Sequence, residues 1–348
     1  MNLNHMNLGC IKDKPDERDF RFVKAVHWTE IGPIDLRPLC PPIRSQGPIG
    51  ACTAFGCTEL FDFVRRKNNL VNWTPSPLFT YYATRKFSNL QDQDSGASIR
   101  EALKSTVRDG VAMERYWPYD TSKFKENPPE DVWINAEKHQ TLEYLKIDDF
   151  DKSAFLGCLN DGYPFVFGIL LYNSFNSFQT VLSGQVPIPD KENEKCIGGH
   201  CMMAVGYKKI DEGGAGKEFI IVQNSWGPNW ADHGYCYIPM EYMMSNDAFD
   251  FWTIRLTEEC AEDTVDPEPT PEPPKPAPEP PKPEPTPEPP KPEPEPPVPT
   301  PEPPEPPKPE IVPEPSITDE QEKKSIWKKP FVYFLIVFIF TTLAFFFA

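Results

Sequence analysis

Basic charge is in short supply: the 348-residue chain sets 35 Lys and Arg against 52 Asp and Glu, a net charge of −17. That balance excludes the basic footprint of a nucleic-acid-binding protein, and no nucleic-acid partner is expected. The acidity is also local. From Glu258 to Ser316 sixteen Asp and Glu face four Lys, which accounts for 12 of the 17 net negative charges and leaves the rest only mildly acidic. Paired cysteines are missing too. Nine cysteines, an odd number without short paired spacings, give neither a disulfide framework nor a zinc ribbon. Free buried thiols in a reducing compartment are expected, with no metal and no cofactor. The N-terminal stretch "MNLNHMNLGCIKDKPDERDF" lacks a basic start followed by an apolar run, so no secretory signal is expected.

Proline and uninterrupted apolar sequence are abundant, but only at one end. Most of the 44 prolines crowd between Asp266 and Pro315 in Pro-Glu-Pro and Pro-Pro-Lys-Pro units. Proline fixes φ and lacks an N–H, so the linker over residues 258–318 should be extended polyproline II rather than helix or sheet. Roughly fifty residues at ~3.1 Å each reach about 150 Å when straight. Such tracts also dock SH3-type and WW-type modules, a possible partner class. Beyond it, "WKKPFVYFLIVFIFTTLAFFFA" holds no charge from Phe331 to Ala348. Residues 331–348 have the length and composition of a bilayer-spanning helix, with Trp327 at the interface. Lys323, Lys324, Lys328 and Lys329 on its N-terminal side would stay cytoplasmic. The expectation is a single-pass tail anchor with the remainder of the chain in the cytoplasm.

The intervening residues change period halfway. Ala54, Cys57, Leu60, Phe61 and Val64 recur at helical spacing, and Arg65, Arg66 and Lys67 suit the last turn of a helix over residues 51–67. "SIREALKSTVRDGV" repeats the pattern, with Ser98 as a cap and Gly110 as a stop. Later, "MMAVGY", "FIIV" and "GYCYIPM" read as strands broken by Gly, Asp and Pro. A helical lobe followed by a strand-rich lobe predicts an α+β chain with a cleft between the lobes. The polar "KKIDEGGAGKE" reads as a loop insertion.

In "SQGPIGACTAFG" a Gly and Pro turn delivers Cys52 to a helix start, where unpaired N–H groups lower a thiol's pKa. Alone, Cys52 reads equally as core or nucleophile; Cys57 inside the same helix reads as core. A cysteine nucleophile needs a base, and histidine is scarce. His5 and His27 fall in the N-terminal arm, His139 lies in the polar "NAEKHQTLEY" and His233 in the turn-like "ADHG". His200, after Gly198 and Gly199, stands at a strand entrance, and Asn224 in "FIIVQNSWGPNW" could orient it with Trp226 as cover.

Taken in order, Gln46, Cys52, "GGH" at His200 and "QNSWG" from Asn224 resemble the papain-like cysteine peptidases over roughly Ile34 to Leu256. The resemblance implies an α+β two-lobe papain-like fold, with a helical left lobe, a β-barrel-like right lobe and the active-site cleft between. It also implies a cysteine endopeptidase, a hydrolase acting on protein or peptide substrates. Cys52 would be the nucleophile, His200 the general acid and base, and Asn224 its orienter. Gln46 would serve the oxyanion hole beside the Cys52 N–H, Trp226 would shield the His200–Asn224 bond, and Gly96 would meet substrate backbone. The family signature C-G-[SA]-C-[WY] reads here Ile49, Gly50, Ala51, Cys52, Thr53, so one family disulfide partner and an aromatic are absent.

The domains expected are an N-terminal arm or short leader at 1–33, a peptidase domain at 34–257, the linker at 258–318 and the anchor at 331–348. "LGCIKDKPDERDFRF" resembles the short leader of bacterial and large DNA virus members, and an arm that packs on the domain without being removed is expected. A viral source would put the anchor in a host endomembrane or the virion membrane. The rival reading is a catalytically inactive papain-like domain serving as a membrane-tethered binding module.

Overall fold

The computed structural model describes residues 8–23, 31–70, 73–210 and 216–258, all within one compact unit, Met1–Lys275. His5, His27, the linker beyond Glu258 and the expected anchor lie outside the described residues. Among the described residues no helix is long and apolar enough to cross a membrane.

The chain opens with β1 (Cys10–Ile11) and β2 (Ile34–Asp35), then enters α1 (Cys52–Lys67). Helix α1 is buried from Cys52 through Arg65 on every side, the signature of a central helix. Arg65, Arg66 and Lys67 occupy its last turn, as expected. α2 (Pro77–Phe87), β3 (Ala97–Ser98), α3 (Ile99–Arg108) and α4 (Glu130–Ala136) complete the helical half. Ser98 caps α3 by accepting the Glu101 N–H at 3.3 Å, and Gly110, with φ of 79°, follows it as the predicted stop.

The strand-rich half contains β4 (Thr141–Ile147), α5 (Lys152–Asn160), β5 (Phe165–Tyr172), α6 (Phe178–Ser183), β6 (Cys196–Ile210), β7 (Lys217–Gln223), β8 (Tyr235–Pro239), α7 (Met240–Met243) and β9 (Ala248–Thr257). Its strands form one antiparallel sheet in the order β4-β9-β5-β6-β7-β8, with β2 added to β6. Strand β6 is buried on both faces, which explains its unbroken apolar run. Met202 and Ala204 enter the core that holds Trp226 and Trp230, whereas Cys201, Met203 and Val205 pack with Cys57, Leu60, Phe61 and Val64 of α1. The sheet therefore sits directly against the central helix, bringing the start of α1 beside the start of β6. This is the α+β two-lobe arrangement expected.

Two local expectations are corrected. Both ends of "KKIDEGGAGKE" are strand, since β6 continues to Ile210 and β7 begins at Lys217. His139 is no surface residue of a polar stretch; it is buried with its ring 4.6 Å from that of Trp73.

Candidate active site

The loop before α1 is tied to both lobes. Gln46 N–H donates to the Ser225 carbonyl at 2.9 Å, and Gly227 N–H donates to the Arg44 carbonyl at 3.1 Å. Gly47, with φ of 61°, allows the turn between these bonds and the helix. Gly50 N–H donates to Asp94 Oδ1 at 2.9 Å, and Tyr81, whose hydroxyl also binds Asp94, accepts the Gly96 N–H at 3.2 Å. The Gly50 and Gly96 loops are thereby held to one another. Cys52 emerges as the first residue of α1, and the N-cap Ala51 offers no side chain to the helix end.

His200 and Asn224 come together from neighbouring strands. Asn224 follows β7, and its Oδ1 lies 2.8 Å from His200 Nε2. The same oxygen accepts the Ser225 N–H at 2.8 Å, so the amide orientation is fixed and the imidazole proton resides on Nε2. His200 Nδ1 is left as the acceptor, buried and without a hydrogen-bond partner among the described residues. Trp226 covers the pair, its ring 5.1 Å from the imidazole and 3% exposed. The N–H of Cys201, the residue after His200, is directed at the Cys52 sulfur, which joins this strand to the helix start. Gln46 lies in the same network: its Oε1 accepts from Ser225 Oγ at 2.7 Å and its Nε2 donates one N–H to the Ile49 carbonyl at 3.0 Å.

The chain's own N-terminal arm passes through this cleft. β1 pairs with β3 in parallel register, Cys10 opposite Ala97, and Ala97 N–H donates to the Gly9 carbonyl at 2.8 Å. The approach is so close that a Cβ on Gly9 would stand 2.2 Å from the Gly50 carbonyl oxygen, and one on Gly96 2.1 Å from the Gly9 carbonyl oxygen. The backbone lying against Gly96 is that of Gly9. Further along, Arg100 clamps the arm: its guanidinium binds Asp19 at 2.6 and 2.9 Å and the Lys14 carbonyl at 2.5 Å. Asp13 accepts from Trp252 Nε1 at 3.1 Å. Phe20 and Phe22 exchange backbone hydrogen bonds with Lys146, each at 2.8 Å.

Burial sets the electrostatics of the site. Sequence predicts a thiol lowered by the helix terminus; instead burial, with Cys10 beside it, pushes the Cys52 thiol up to about 12. The N–H groups of Cys201, Gly9 and Thr53 oppose this without overcoming it. Burial likewise lowers His200 to about 4, with the Asn224 hydrogen bond acting in the other direction. With the arm docked, both groups are neutral at pH 7.

Of the candidate residues, Cys52, His200, Asn224, Gln46, Trp226 and Gly96 all border this one site, whereas His233 sits in its turn with φ of 53°. Sequence reasoning missed Ser225, which links Gln46 to Asn224, although it lies inside "QNSWG". It also missed Tyr119, whose hydroxyl donates to the Gln46 carbonyl at 2.7 Å. Among the described residues no three His, Cys, Asp or Glu side chains converge to hold a metal.

Known proteins resemble this chain in sequence and in fold. The sequence profile of the papain family cysteine proteases matches residues 33–248. A peptidase C1-like protein of Acanthamoeba polyphaga mimivirus is 35% identical over 289 residues, covering 75% of this chain and 90% of that one. Chymopapain of Carica papaya is 24% identical over 230 residues, and the match spans 57% of its length. In three dimensions, xylellain, a cysteine protease from Xylella fastidiosa, superposes with a TM-score of 0.64 at 30% identity, covering 74% of this chain and 97% of that one. On its site geometry, its fold and these relatives, the chain belongs to the papain family of cysteine proteases.

Proposed function

We propose that the chain is an endopeptidase that cleaves peptide bonds by acyl transfer through a Cys52 thioester. The observation that carries this reading is the Asn224 Oδ1 to His200 Nε2 bond of 2.8 Å, which leaves Nδ1 to take the Cys52 proton. Once the arm leaves, water returns, the desolvation penalty falls, and proton transfer to Nδ1 gives a thiolate and an imidazolium. The thiolate attacks the peptide carbonyl carbon. The oxyanion forms beside the Cys52 N–H and an amide N–H of Gln46. His200 then protonates the leaving amine, and the neutral imidazole takes a proton from water as it attacks the thioester. Trp226 keeps bulk water from the His200–Asn224 bond, and Gly96 receives the substrate backbone now occupied by Gly9.

The experiment is alkylation of the full chain by a thiolate-directed epoxide, beside Cys52→Ala and Cys57→Ala. Labelling should vanish only in Cys52→Ala, and wild-type chain freed of its arm should turn over peptides. Labelling that survives Cys52→Ala refutes the assignment; labelling without turnover favours the inactive binding module.

We further propose that residues 331–348 anchor the peptidase to a membrane, facing the cytoplasm, with the Pro-rich linker as spacer and an SH3-type or WW-type module as a secondary partner. The support is the charge-free run with its lysine flank, and in a viral setting the anchor would lie in a host endomembrane or the virion membrane. Full-length chain should resist carbonate extraction and the chain lacking 331–348 should not; release of both removes the anchor.

A further inference from the structure

Four thiols gather where the arm crosses the cleft. Cys10, Cys52, Cys57 and Cys201 share one buried cluster, and all four are free. Within it the Cys10 and Cys201 side chains are hydrogen-bonded to one another. They come from different parts of the fold, Cys10 from the arm strand β1 and Cys201 from β6. The backbones close in at the same point: a Cβ on Gly199 would stand 2.3 Å from the Cys10 carbonyl oxygen and 3.8 Å from Cys10 Cβ. On its other side the Cys201 sulfur is backed by α1, since a Cβ on Gly56 would lie 2.9 Å from it. The two sulfurs are thus held together across the boundary between arm and domain, and the peptidase chemistry uses neither.

We propose that Cys10 and Cys201 are a redox latch: a disulfide between them ties the arm into the cleft, and its reduction lets the arm leave. This rests on the reading of Cys52 as the nucleophile that the arm covers. The oxidant is a low-molecular-weight disulfide such as oxidised glutathione. Cys10, 8% exposed against 1% for Cys201, is the first to react. Its thiolate attacks one glutathione sulfur, the glutathione S–S bond breaks, and one glutathione thiolate leaves. The Cys201 thiolate then attacks the Cys10 sulfur of the mixed disulfide and expels the second glutathione. Two protein thiols lose two electrons and two protons, and one glutathione disulfide becomes two glutathione thiols. Excess reduced thiol reverses both steps.

The latch differs from direct oxidation of Cys52 in what must be linked. Full-length chain carrying Cys52→Ala is equilibrated with oxidised glutathione, quenched with an alkylating reagent, digested and mapped by mass spectrometry. A Cys10–Cys201 peptide pair is expected, absent in Cys10→Ser and in Cys201→Ser. Cys10 recovered only as its glutathione adduct, or joined to Cys57, overturns the proposal. In chain with Cys52 intact, oxidation should slow epoxide labelling of Cys52 at least tenfold, reversibly, and Cys10→Ser should remove that protection. Equal slowing in Cys10→Ser means that oxidation acts on Cys52 itself and also overturns the latch. Both readouts are independent of peptide turnover, so a latched chain that cleaves no peptide when reduced would defeat the peptidase reading alone.

Discussion

Replacing Gly9 by valine should open the cleft without cutting the chain. The Cβ that valine introduces would stand 2.2 Å from the Gly50 carbonyl oxygen and 2.7 Å from its carbonyl carbon, backbone atoms that cannot swing aside as a flexible side chain would. Forcing excess volume into a packed site costs about 1–3 kcal/mol. The cost falls on the docked arm alone, because an undocked arm meets no such contact. At 1.36 kcal/mol per decade, the open fraction should rise roughly 5-fold to 150-fold. While that fraction is small, the second-order rate of epoxide alkylation at Cys52 should rise by the same factor. Gly32→Ala is the control, since nothing lies within 4 Å of a Cβ there. A second signature is pH. With the arm docked, the thiol stands at about 12 and the imidazole at about 4, so neither is ionised between these values. Rehydration on opening lowers the first and raises the second, and alkylation of Gly9→Val should reach its plateau at lower pH than wild type. Equal rates in Gly9→Val and wild type, with Cys10 alkylation showing the variant's arm undocked, would refute the idea that the arm controls Cys52.

Arg100→Met should loosen the arm from its other end. It removes the bonds to Asp19 and Lys14 and leaves the 7%-exposed Asp19 carboxylate unpaired, a loss of about 3–5 kcal/mol for a buried pair, read as faster alkylation of Cys10. Asn224→Ala leaves His200 Nε2 without its acceptor, and kcat/KM of the arm-free chain should drop about tenfold for one lost hydrogen bond. Glu59→Gln should stabilise the fold at neutral and higher pH. Burial raises this carboxyl from 4.5 to about 8, so the folded state holds a proton that the unfolded chain has already released. Stability therefore falls as pH rises through that window, by on the order of a few kcal/mol when complete. The advantage of the glutamine variant in chemical denaturation should grow from pH 5 to pH 8 (about the window of the shift) and then level; a pH-independent difference would contradict the assignment.

Helix α1 could be read from sequence because its apolar residues keep one period and its basic residues end together. β6, β7 and β8 were recognisable as apolar or aromatic runs broken by Gly and Pro. By contrast "FVFGILLY" of β5 is buried at nearly every position and has no alternation to signal a strand, a consequence of pairing with β6 and β9 in the middle of the sheet. The site residues were legible as a set, since a thiol at a helix start, a histidine at a strand entrance and an asparagine after a strand each ask for the others. The arm was not. Its strand is two residues long, too short for any period, and its partner Ala97 lies far along the chain. The close approach of Gly9 to the Gly50 and Gly96 backbones shows only in three dimensions. Burial is also why the thiol stands above, rather than below, its ordinary value.

The glycines at Gly50, Gly96 and Gly199 leave room for a backbone beside Cys52, and the arm fits because it presents what a peptide presents. An occupant tethered to its site competes at an effective concentration on the order of mM for a short flexible linker. A peptide at micromolar concentration therefore displaces the arm only if the arm's own contacts are poor or are weakened. On the proposal that substrate takes the arm's place, changing the cleft to weaken the arm would weaken substrate as well. Two sets of contacts belong to the arm itself: the Arg100 clamp on Asp19 and Lys14, and the Cys10–Cys201 thiol pair. Control of this enzyme is expected to act on those two places, leaving the catalytic geometry unaltered.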